Sequence, residues 1–326
     1  MFFRFGRLAT SALRSRAVPL AGCAAAGITI GSTLSNRNTN LEAVPVSTPS
    51  VGIAQSNGTL DALLGRVVAF SKMATTTPKF VVIAPTFYPN LQDVRLKLGI
   101  EACRKAKSLG VPLLLVDASP PEVRAALEEA GATVHQQTAK GRKGAALREC
   151  VELARAVLPA DGVICYQELE KVEMVGLQRE VAAHIARSGC DVCVPKRADS
   201  FFKRTYPIEQ YHQENFANLY LNTLGVAAGL PDHLDWTFGP VAFRASAAVH
   251  WLQCDGELWD AQIVPYVRAS RWHGAKVTSL ELDYSHPPTM KDEEEGVAVW
   301  GEKRLHQLNF LFKFVAGALR EEAPPP

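Results

Sequence analysis

The stretch that decides the fold is KFVVIAPTFYPNLQDVRLKLGIEACRKAKSLGVPLLLVDAS, residues 79–119. It begins with a β-branched run that stops at Pro and Asn, which predicts a buried strand. Residues 91–110 then place apolar and charged positions at helical spacing and close on Gly110, a typical helix C-terminal cap. A second apolar run follows. Strand, helix and strand with short connections predict a parallel β–α–β unit.

The same alternation continues along the chain. Helical periodicity recurs at 120–131, 143–158 and 171–190, and strand-like runs recur at 132–137, 160–170 and 191–197. This order predicts an α/β, Rossmann-like, mostly parallel, doubly wound sheet that binds ligands at the carboxyl ends of its strands. The sequence contains no GxGxxG after the first strand, no GxxxxGK[ST] and no GxSxG. Nicotinamide dehydrogenases, P-loop NTPases and α/β-hydrolases therefore lose their main support.

Residues 1–72 differ in composition from the rest. They have no acidic residue before Glu42 and are rich in Arg, Ser and Ala, which predicts an import presequence. We expect import into mitochondria. The alternatives are import into plastids and a disordered tail without a targeting role. The uncharged residues 17–34 approach the length of a membrane span, but Gly, Ser and Thr dilute them. They are expected to belong to the leader and to be the sole route to membrane association.

Residues 32–59 have linker composition, so the prediction is a leader and linker at 1–72 and a single domain at 73–326. The net charge of +2 comes from the basic leader, and the remainder is slightly acidic. This balance argues against a general nucleic-acid binder. Seven irregularly spaced cysteines predict reduced thiols, and the lone CxxC of Cys190 and Cys193 is expected in a buried strand.

The segment GRKGAALR, residues 141–148, predicts a phosphate site. Its two glycines let the backbone approach an anion, and a helix amino terminus directs free N–H groups there. Its basic side chains add positive charge. A solvated, basic helix start is the alternative.

Four segments in order then resemble the type A glycosyltransferases, the nucleotide-diphospho-sugar transferases, and within them family 2-like enzymes and those of the mannosylglycerate synthase kind. They are Asp117-Ala118-Ser119, the 141–148 segment, CDVCVPKRAD, and an acceptor-side set of FGPVAFR, Trp259-Asp260 and YSHP. The resemblance covers roughly 79–290. It implies a donor half at about 79–200 and an acceptor half at about 201–319, the latter as an extension of the sheet domain.

The resemblance also implies site residues. The nucleotide would lie at Pro85, Thr86, Asp117 and Ser119, and the diphosphate at Gly141, Lys143, Arg148 and Arg197.

The sequence departs from the family at the fourth strand. Type A enzymes commonly end this strand in Asp-x-Asp, which binds Mn²⁺ or Mg²⁺ through carboxylate oxygens. Here Gln167-Glu168-Leu169-Glu170 follow Tyr166. One register places Gln167 and Leu169 at the acidic positions and removes the metal site. The other places Glu168 and Glu170 there, on one face of an extended segment.

Two further interpretations of this region stay open. Glu168 and Glu170 could instead begin the next helix, where acidic residues favour the positive end of the dipole. His286 lies near the end of the predicted strand LELDYSHPP, which two prolines stop. It is either a third metal ligand, as the resemblance implies, or a hydrogen-bonded structural residue.

In the acceptor half, Trp236 offers a flat face for a sugar ring, and Gly239 allows close approach, although such aromatics are often core residues. Asp260 opens a helix and is the first candidate for general base, with Glu257 as the second candidate. A helix-capping role for Asp260 is the alternative.

These observations predict a glycosyltransferase that moves a sugar from a nucleotide-diphosphate donor to a small or lipid-borne acceptor. The alternatives are a degenerate nucleotide-sugar-binding or scaffold protein and a sugar nucleotidyltransferase. The latter would need a basic glycine-rich loop after the first strand, where APTFYPNLQD has none.

Overall fold

A computed structural model describes residues 78–139 and 141–323. Their centre is a seven-stranded sheet with the order β3-β2-β1-β4-β6-β5-β7. Strand β6 runs antiparallel to β4 and β5, and every other pairing is parallel. The strands are β1 Phe80–Thr86, β2 Leu113–Asp117, β3 Thr133–Gln136, β4 Val163–Tyr166, β5 Val192–Arg197, β6 Val241–Arg244 and β7 Val277–Leu282. The predicted α/β, mostly parallel sheet is confirmed.

Helices cover both faces of this sheet. One face packs against residues such as Leu147, Trp251 and Leu311, and the other against residues such as Leu96 and Val175. The helices are α1 Val94–Leu109, α2 Pro121–Ala130, α3 Lys143–Val157, α4 Val172–Ser188, α5 Asp199–Thr205, α6 Ile208–Val226, α7 Val249–Leu252, α8 Asp260–His273, α9 Pro288–Glu294 and α10 Ala298–Arg320. Because apolar residues lie on both faces, β1 and β2 read as continuous hydrophobic runs.

Local signals set the helix ends where the sequence predicts them. Asp93 caps α1 by accepting the backbone N–H of Arg95 at 2.9 Å, and Gly110 ends the helix in the left-handed region, with φ of 65°. α2 begins at Pro121 and ends before Gly131. These caps satisfy backbone groups that the helix itself leaves unpaired.

The cysteines of the described region are all free and buried, which agrees with the expected reduced thiols. Cys193 lies in β5, and Cys190 lies two residues before that strand begins. Both are fully buried in the core on the α1–α4 face of the sheet. The CxxC pair is therefore part of a buried strand region, as predicted.

Two predicted strands end earlier than expected. β4 stops at Tyr166 rather than near residue 170, and β7 stops at Leu282, four residues before His286. None of the helices within 78–139 and 141–323 is both long and apolar enough to cross a membrane. The leader, its address and the apolar residues 17–34 lie outside the described residues, and these expectations stay predictions.

Candidate functional site

The chain order of the strands reverses between β1 and β4. β2 and β3 lie on one side of β1, whereas β4 and the later strands lie on the other. In open α/β sheets, such a reversal leaves a crevice at the carboxyl ends of the two central strands, where ligands bind. β1 ends at Thr86 and β4 at Tyr166. The side chains that follow these two strands therefore define the candidate site.

Asp117 ties together the loops that follow β1 and β2. Its carboxylate accepts hydrogen bonds from the Thr86 hydroxyl at 2.6 Å and from the backbone N–H and hydroxyl of Ser119 at 2.8 and 2.9 Å. The Ser119 hydroxyl accepts the backbone N–H of Tyr88 at 2.8 Å. The predicted nucleotide-binding residues are thus adjacent, with Pro85 in β1 beside them. Asp117 itself is fully buried and bonded to protein donors.

Glu257 lies at the amino terminus of α3, where the sequence predicts a phosphate. Its Oε2 accepts a hydrogen bond from the backbone N–H of Arg142 at 2.6 Å. Its backbone carbonyl accepts one from the backbone N–H of Gly144 at 3.2 Å. Gly144 is required because a Cβ there would overlap the carbonyl of Gly256. Free N–H groups and the helix dipole favour an anion at this position. The anion they bind is an internal carboxylate.

Arg148 fixes the same loop from the next turn of α3. Its guanidinium donates to the backbone oxygens of Cys254 and Gly256 at 2.8 and 2.7 Å and pairs with Glu257. Burial would raise the pKa of Glu257, but hydrogen bonds from Arg142 and Arg148 outweigh burial and lower it. Neither the predicted phosphate role of Arg148 nor the predicted base role of Glu257 matches these contacts.

Gly141 also belongs to this junction. Its φ is 152°, and an added Cβ would lie 2.6 Å from the Cβ of Ala145 and 3.0 Å from Oε2 of Glu257. The close approach that the glycine permits is thus made by the protein's own loop.

Glu168 lies between two lysines. Its Oε1 is 3.2 Å from Nζ of Lys143, at the start of α3, and its Oε2 is 2.8 Å from Nζ of Lys171, just before α4. The carboxylate also lies against Gly239, whose φ is 99° and where an added Cβ would be 2.9 Å from Oε2. Three segments therefore meet at this carboxylate: the start of α3, the β4–α4 connection and the loop before β6.

These three charged groups stabilise one another. Burial would raise the pKa of Glu168, but Lys171 and Lys143 hold it well below its usual range. Burial would likewise lower the pKa of Lys143, but Tyr166 and Glu168 raise it, and Glu168 raises that of Lys171. Burial lowers the pKa of Lys303, from α10, although Glu294 and, to a smaller extent, Glu168 oppose this shift. The cluster carries more positive than negative charge.

The predicted metal ligands are not brought together. After β4 the chain turns instead of staying extended, and the backbone N–H of Lys171 donates to the Glu168 carbonyl at 3.1 Å. Glu168 faces the lysines, whereas Glu170 interacts with Arg95. Within the described ranges, no three His, Cys, Asp or Glu side chains could hold a metal ion. Glu168, Glu170 and His286 therefore do not fit the divalent cation that the resemblance implies.

His286 lies against Tyr206, within the electrostatic influence of Lys171. Its ring stacks on Tyr206 with the centroids 4.2 Å apart. Burial, with the nearby charges of Lys171 and Arg197, lowers its pKa to about 3, so the imidazole is neutral at pH 7. Both ring nitrogens and the hydroxyls of Tyr206 and Tyr284 have no hydrogen-bond partner within the described residues. Buried polar atoms of this kind commonly mark the place of a ligand or water.

Arg197 belongs to a buried ion-pair network rather than to an open donor site. Its guanidinium donates to both oxygens of Asp235 at 2.7 and 2.8 Å and to Glu214 at 2.7 Å. Its Cζ lies 3.5 Å from the ring centroid of Phe202. Arg197 is 2% exposed, so the predicted donor contact is replaced by contacts that join β5, α6 and the loop before β6.

The acceptor residues divide into core and site. Trp236 is buried, and its indole N–H donates to Asn222 at 2.8 Å, which makes it a core residue rather than a sugar-stacking face. Asp260 opens α8 as predicted, but it is buried and accepts the backbone N–H of Leu258 at 2.8 Å, which matches the structural alternative. Gly239 does lie at the site, where Glu168 approaches it.

Sequence reasoning missed Lys171, Lys303 and Asp235. Lys171 had a usable signal, because it follows Glu168 by three residues just before a predicted helix. Lys303 comes from a distant helix, and nothing in its local sequence indicates the site. Asp235 stands beside Trp236, but its partner Arg197 is remote in the chain.

Comparisons with known proteins give low similarity. No protein-family model matches the chain, and no curated protein matches it in sequence. Among solved structures, it is similar to glucosyl-3-phosphoglycerate synthase from Mycobacterium tuberculosis, with 12% identity over 82% of this chain and 86% of that chain and a TM-score of 0.46. Mannosyl-3-phosphoglycerate synthase from Rubrobacter xylanophilus gives 12% identity, 79% and 77% coverage and a TM-score of 0.41. CMP:2-keto-3-deoxy-manno-octonic acid synthetase complexed with CTP gives 11% identity, 69% and 99% coverage and a TM-score of 0.38.

Proposed function

We propose that this chain is a glycosyltransferase that binds a nucleotide-diphosphate sugar in the crevice between β1 and β4. It passes the sugar to a hydroxyl group of a small or lipid-borne acceptor. The observation that carries the proposal is the pair of ammonium groups of Lys143 and Lys171, which meet at Glu168 where the strand order reverses. A surplus of positive charge at this edge favours a polyanionic ligand.

The donor is proposed to lie along this edge. Its nucleoside would cover the loops after β1 and β2, which the Asp117 network orders. Its diphosphate would lie by Lys143 and Lys171, and its sugar would point toward Gly239. When the bond between the anomeric carbon and the diphosphate breaks, the electron pair stays on the diphosphate oxygen. Fixed ammonium groups stabilise such developing charge.

The acceptor is proposed to lie beside His286, Tyr206 and Tyr284. The neutral imidazole can donate one hydrogen bond and accept another, and the hydroxyls of Tyr206 and Tyr284 can do the same. All of these groups are buried and unpaired within the described residues. This set suits an acceptor that carries hydroxyl groups.

A nucleotide-sugar-binding protein without turnover is the second candidate. The observation that favours it concerns the two predicted bases, since the carboxylates of Glu257 and Asp260 both accept backbone N–H groups of the protein. A sugar nucleotidyltransferase is the third candidate, and it would consume a nucleoside triphosphate and release pyrophosphate.

The test is the thermal unfolding of the full chain with UDP-, GDP- and ADP-sugars, followed by mass spectrometry of the reaction products. A ligand at about 100 times its Kd adds roughly 2.7 kcal/mol of stability. We expect one nucleotide sugar to raise the Tm and, with acceptor present, to release its nucleoside diphosphate. A Tm shift without product would favour the binding protein. The proposal is wrong if none of the nucleotide sugars shifts the Tm.

A further inference from the structure

The position that would hold a divalent cation in the resembling enzymes is here bonded to lysine. Both oxygens of Glu168 are used, Oε1 by Lys143 and Oε2 by Lys171. Its side chain is 30% exposed and those of the two lysines are 25% and 19% exposed. A metal ion at Glu168 would have to displace at least one ammonium group and then lie beside it, which like-charge repulsion disfavours.

No second carboxylate supports a metal at this point. Burial raises the pKa of Glu170, and Glu168 adds to the rise, whereas the charges of Arg95 and Lys171 oppose it. His286 is surrounded by positive charge from Lys171, Arg197 and Arg304. Hard cations take several oxygen ligands, and the described residues bring no such set to Glu168.

An aromatic ring lies close to each of the two ammonium groups. Nζ of Lys143 lies 5.7 Å from the ring centroid of Tyr166, and Nζ of Lys171 lies 5.7 Å from that of Phe238. These rings and the shared carboxylate limit the positions that the two ammonium groups can take. Lys303 interacts electrostatically with Glu168, but its larger favourable interaction is with Glu294. At Glu168 itself, one carboxylate contacts the two ammonium groups of Lys143 and Lys171, which leaves one uncompensated positive charge.

We propose that Lys143 and Lys171 neutralise the diphosphate of the donor in place of a divalent cation, with Glu168 positioning their ammonium groups. This inference rests on the proposed function, because it states which positive groups neutralise the diphosphate at the same donor site. Lys143 and Lys171 are ligand-binding residues in this scheme, and Glu168 is a positioning residue. Donor binding would then need no metal and would weaken as salt concentration rises.

The experiment is isothermal titration of the full chain with inorganic pyrophosphate, once in EDTA and once in Mn²⁺. We expect binding in EDTA that Mn²⁺ does not strengthen. Lys143→Met and Lys171→Met should each weaken it about 10- to 100-fold, since each removes one charge-assisted contact. Lys171→Arg keeps the charge and should retain most of the binding. Lys196→Met removes a lysine from an exposed pair with Glu281 and should change nothing.

Glu168→Gln distinguishes diphosphate binding by the lysines from diphosphate binding by a divalent cation. If Glu168 were a metal ligand, this change would abolish binding in Mn²⁺. In the lysine scheme, binding in EDTA persists or tightens, because a competing negative charge is gone. Circular dichroism of each variant checks the fold, and if a methionine variant fails to fold, Lys171→Gln replaces it.

Three outcomes would overturn the inference: pyrophosphate does not bind, binds only with Mn²⁺, or binds equally well to both methionine variants. Each differs from failure of the proposed function, which is judged separately by the nucleotide-sugar panel. A nucleotide sugar that binds and reacts only with Mn²⁺ would support the transferase function and contradict the proposed role of Lys143 and Lys171.

Discussion

Gly239 is the residue that lets Glu168 reach its place. The backbone at this position has a φ of 99°, which L-amino acids rarely adopt, and an added Cβ would lie 2.9 Å from the carboxylate of Glu168. The backbone conformation and the short distance both disfavour every residue except glycine, so this position couples the backbone before β6 to the charge cluster.

Gly239→Ala should therefore destabilise the protein by about 1–3 kcal/mol. Urea unfolding measures the loss. Gly317→Ala is the matched control, because Gly317 lies within α10 and an added Cβ would meet nothing within 4 Å. That change should stabilise by about 0.5–1 kcal/mol through helix propensity. Equal effects of the two substitutions would contradict the assigned role of Gly239.

Arg197 and Lys196 offer a second matched pair, since they are neighbours in β5 with opposite surroundings. Arg197→Met should cost about 3–5 kcal/mol, because it leaves the buried carboxylates of Asp235 and Glu214 without their partner. Lys196→Met breaks an exposed pair with Glu281 and should stay within about 0.5 kcal/mol. Similar urea midpoints for both variants would show that the buried network is not needed for stability.

The structure tests where the predicted site residues lie, and their functional roles stay predictions. The sequence correctly places Thr86, Asp117 and Lys143 at the carboxyl edge of the sheet, because that placement follows from strand order. It cannot show that Asp117 bonds Thr86 and Ser119, since those contacts depend on the paths of two loops. The same applies to Arg197, whose acidic partners come from elements distant in the sequence.

At the scale of elements, α3 is the most informative case. The prediction of a phosphate at its amino terminus rested on two glycines and a helix start, and the structure places the carboxylate of Glu257 at this helix end. No local pattern indicates that Glu257 supplies the negative charge, because this residue stands 115 positions from the Arg142 N–H that it accepts. The amino terminus of a helix favours a negative charge, but it does not determine which group supplies that charge.

Glu257→Ala tests this cap. It should lower stability by about 1 kcal/mol, within the range for lost helix caps, because the side chain is more than one third exposed and water replaces part of the interaction. Urea unfolding measures the change, and Glu281→Ala, at an exposed carboxylate in β7, is the control. If the control variant loses as much stability, the cap contributes nothing of its own.

The β4–α4 connection shows why the register question could not be settled from the sequence. Gln167 leaves the strand and its side chain bonds Gln178 at 2.9 Å and the Lys171 carbonyl at 3.3 Å. These contacts support a turn that separates Glu168 from Glu170. An alternating pattern predicts a shared face only while the chain stays extended.

At the scale of the whole molecule, strand order sets a gradient of stability. β1 and β4 lie within the sheet and are almost entirely buried, whereas β7 is an edge strand with four partly or fully exposed residues, 278–281. Hydrogen exchange should therefore be slowest in β1 and β4 and faster in β7, whose amides can open without global unfolding. Mass-spectrometric exchange on the full chain measures this. Equal protection of β7 and β1 would contradict the gradient.

The sequence predicted the architecture because hydrophobic periodicity and glycine caps are local signals. It did not predict that β6 would run antiparallel between β4 and β5. That insertion brings the residues preceding β6, including Gly239, to the edge where the other strands end. A search confined to residues that follow strands therefore misses this part of the site.

The six buried cysteines of the described region have one more consequence. A thiol-alkylating reagent can reach them only when the surrounding structure opens. Their modification rates in water would thus report opening events from within the fold, with no dye or engineered label. Cys165 lies in β4, one of the two strands that border the crevice, so it would report on the opening of this strand. A ligand bound there should slow its alkylation, so the protein carries its own probe for donor binding.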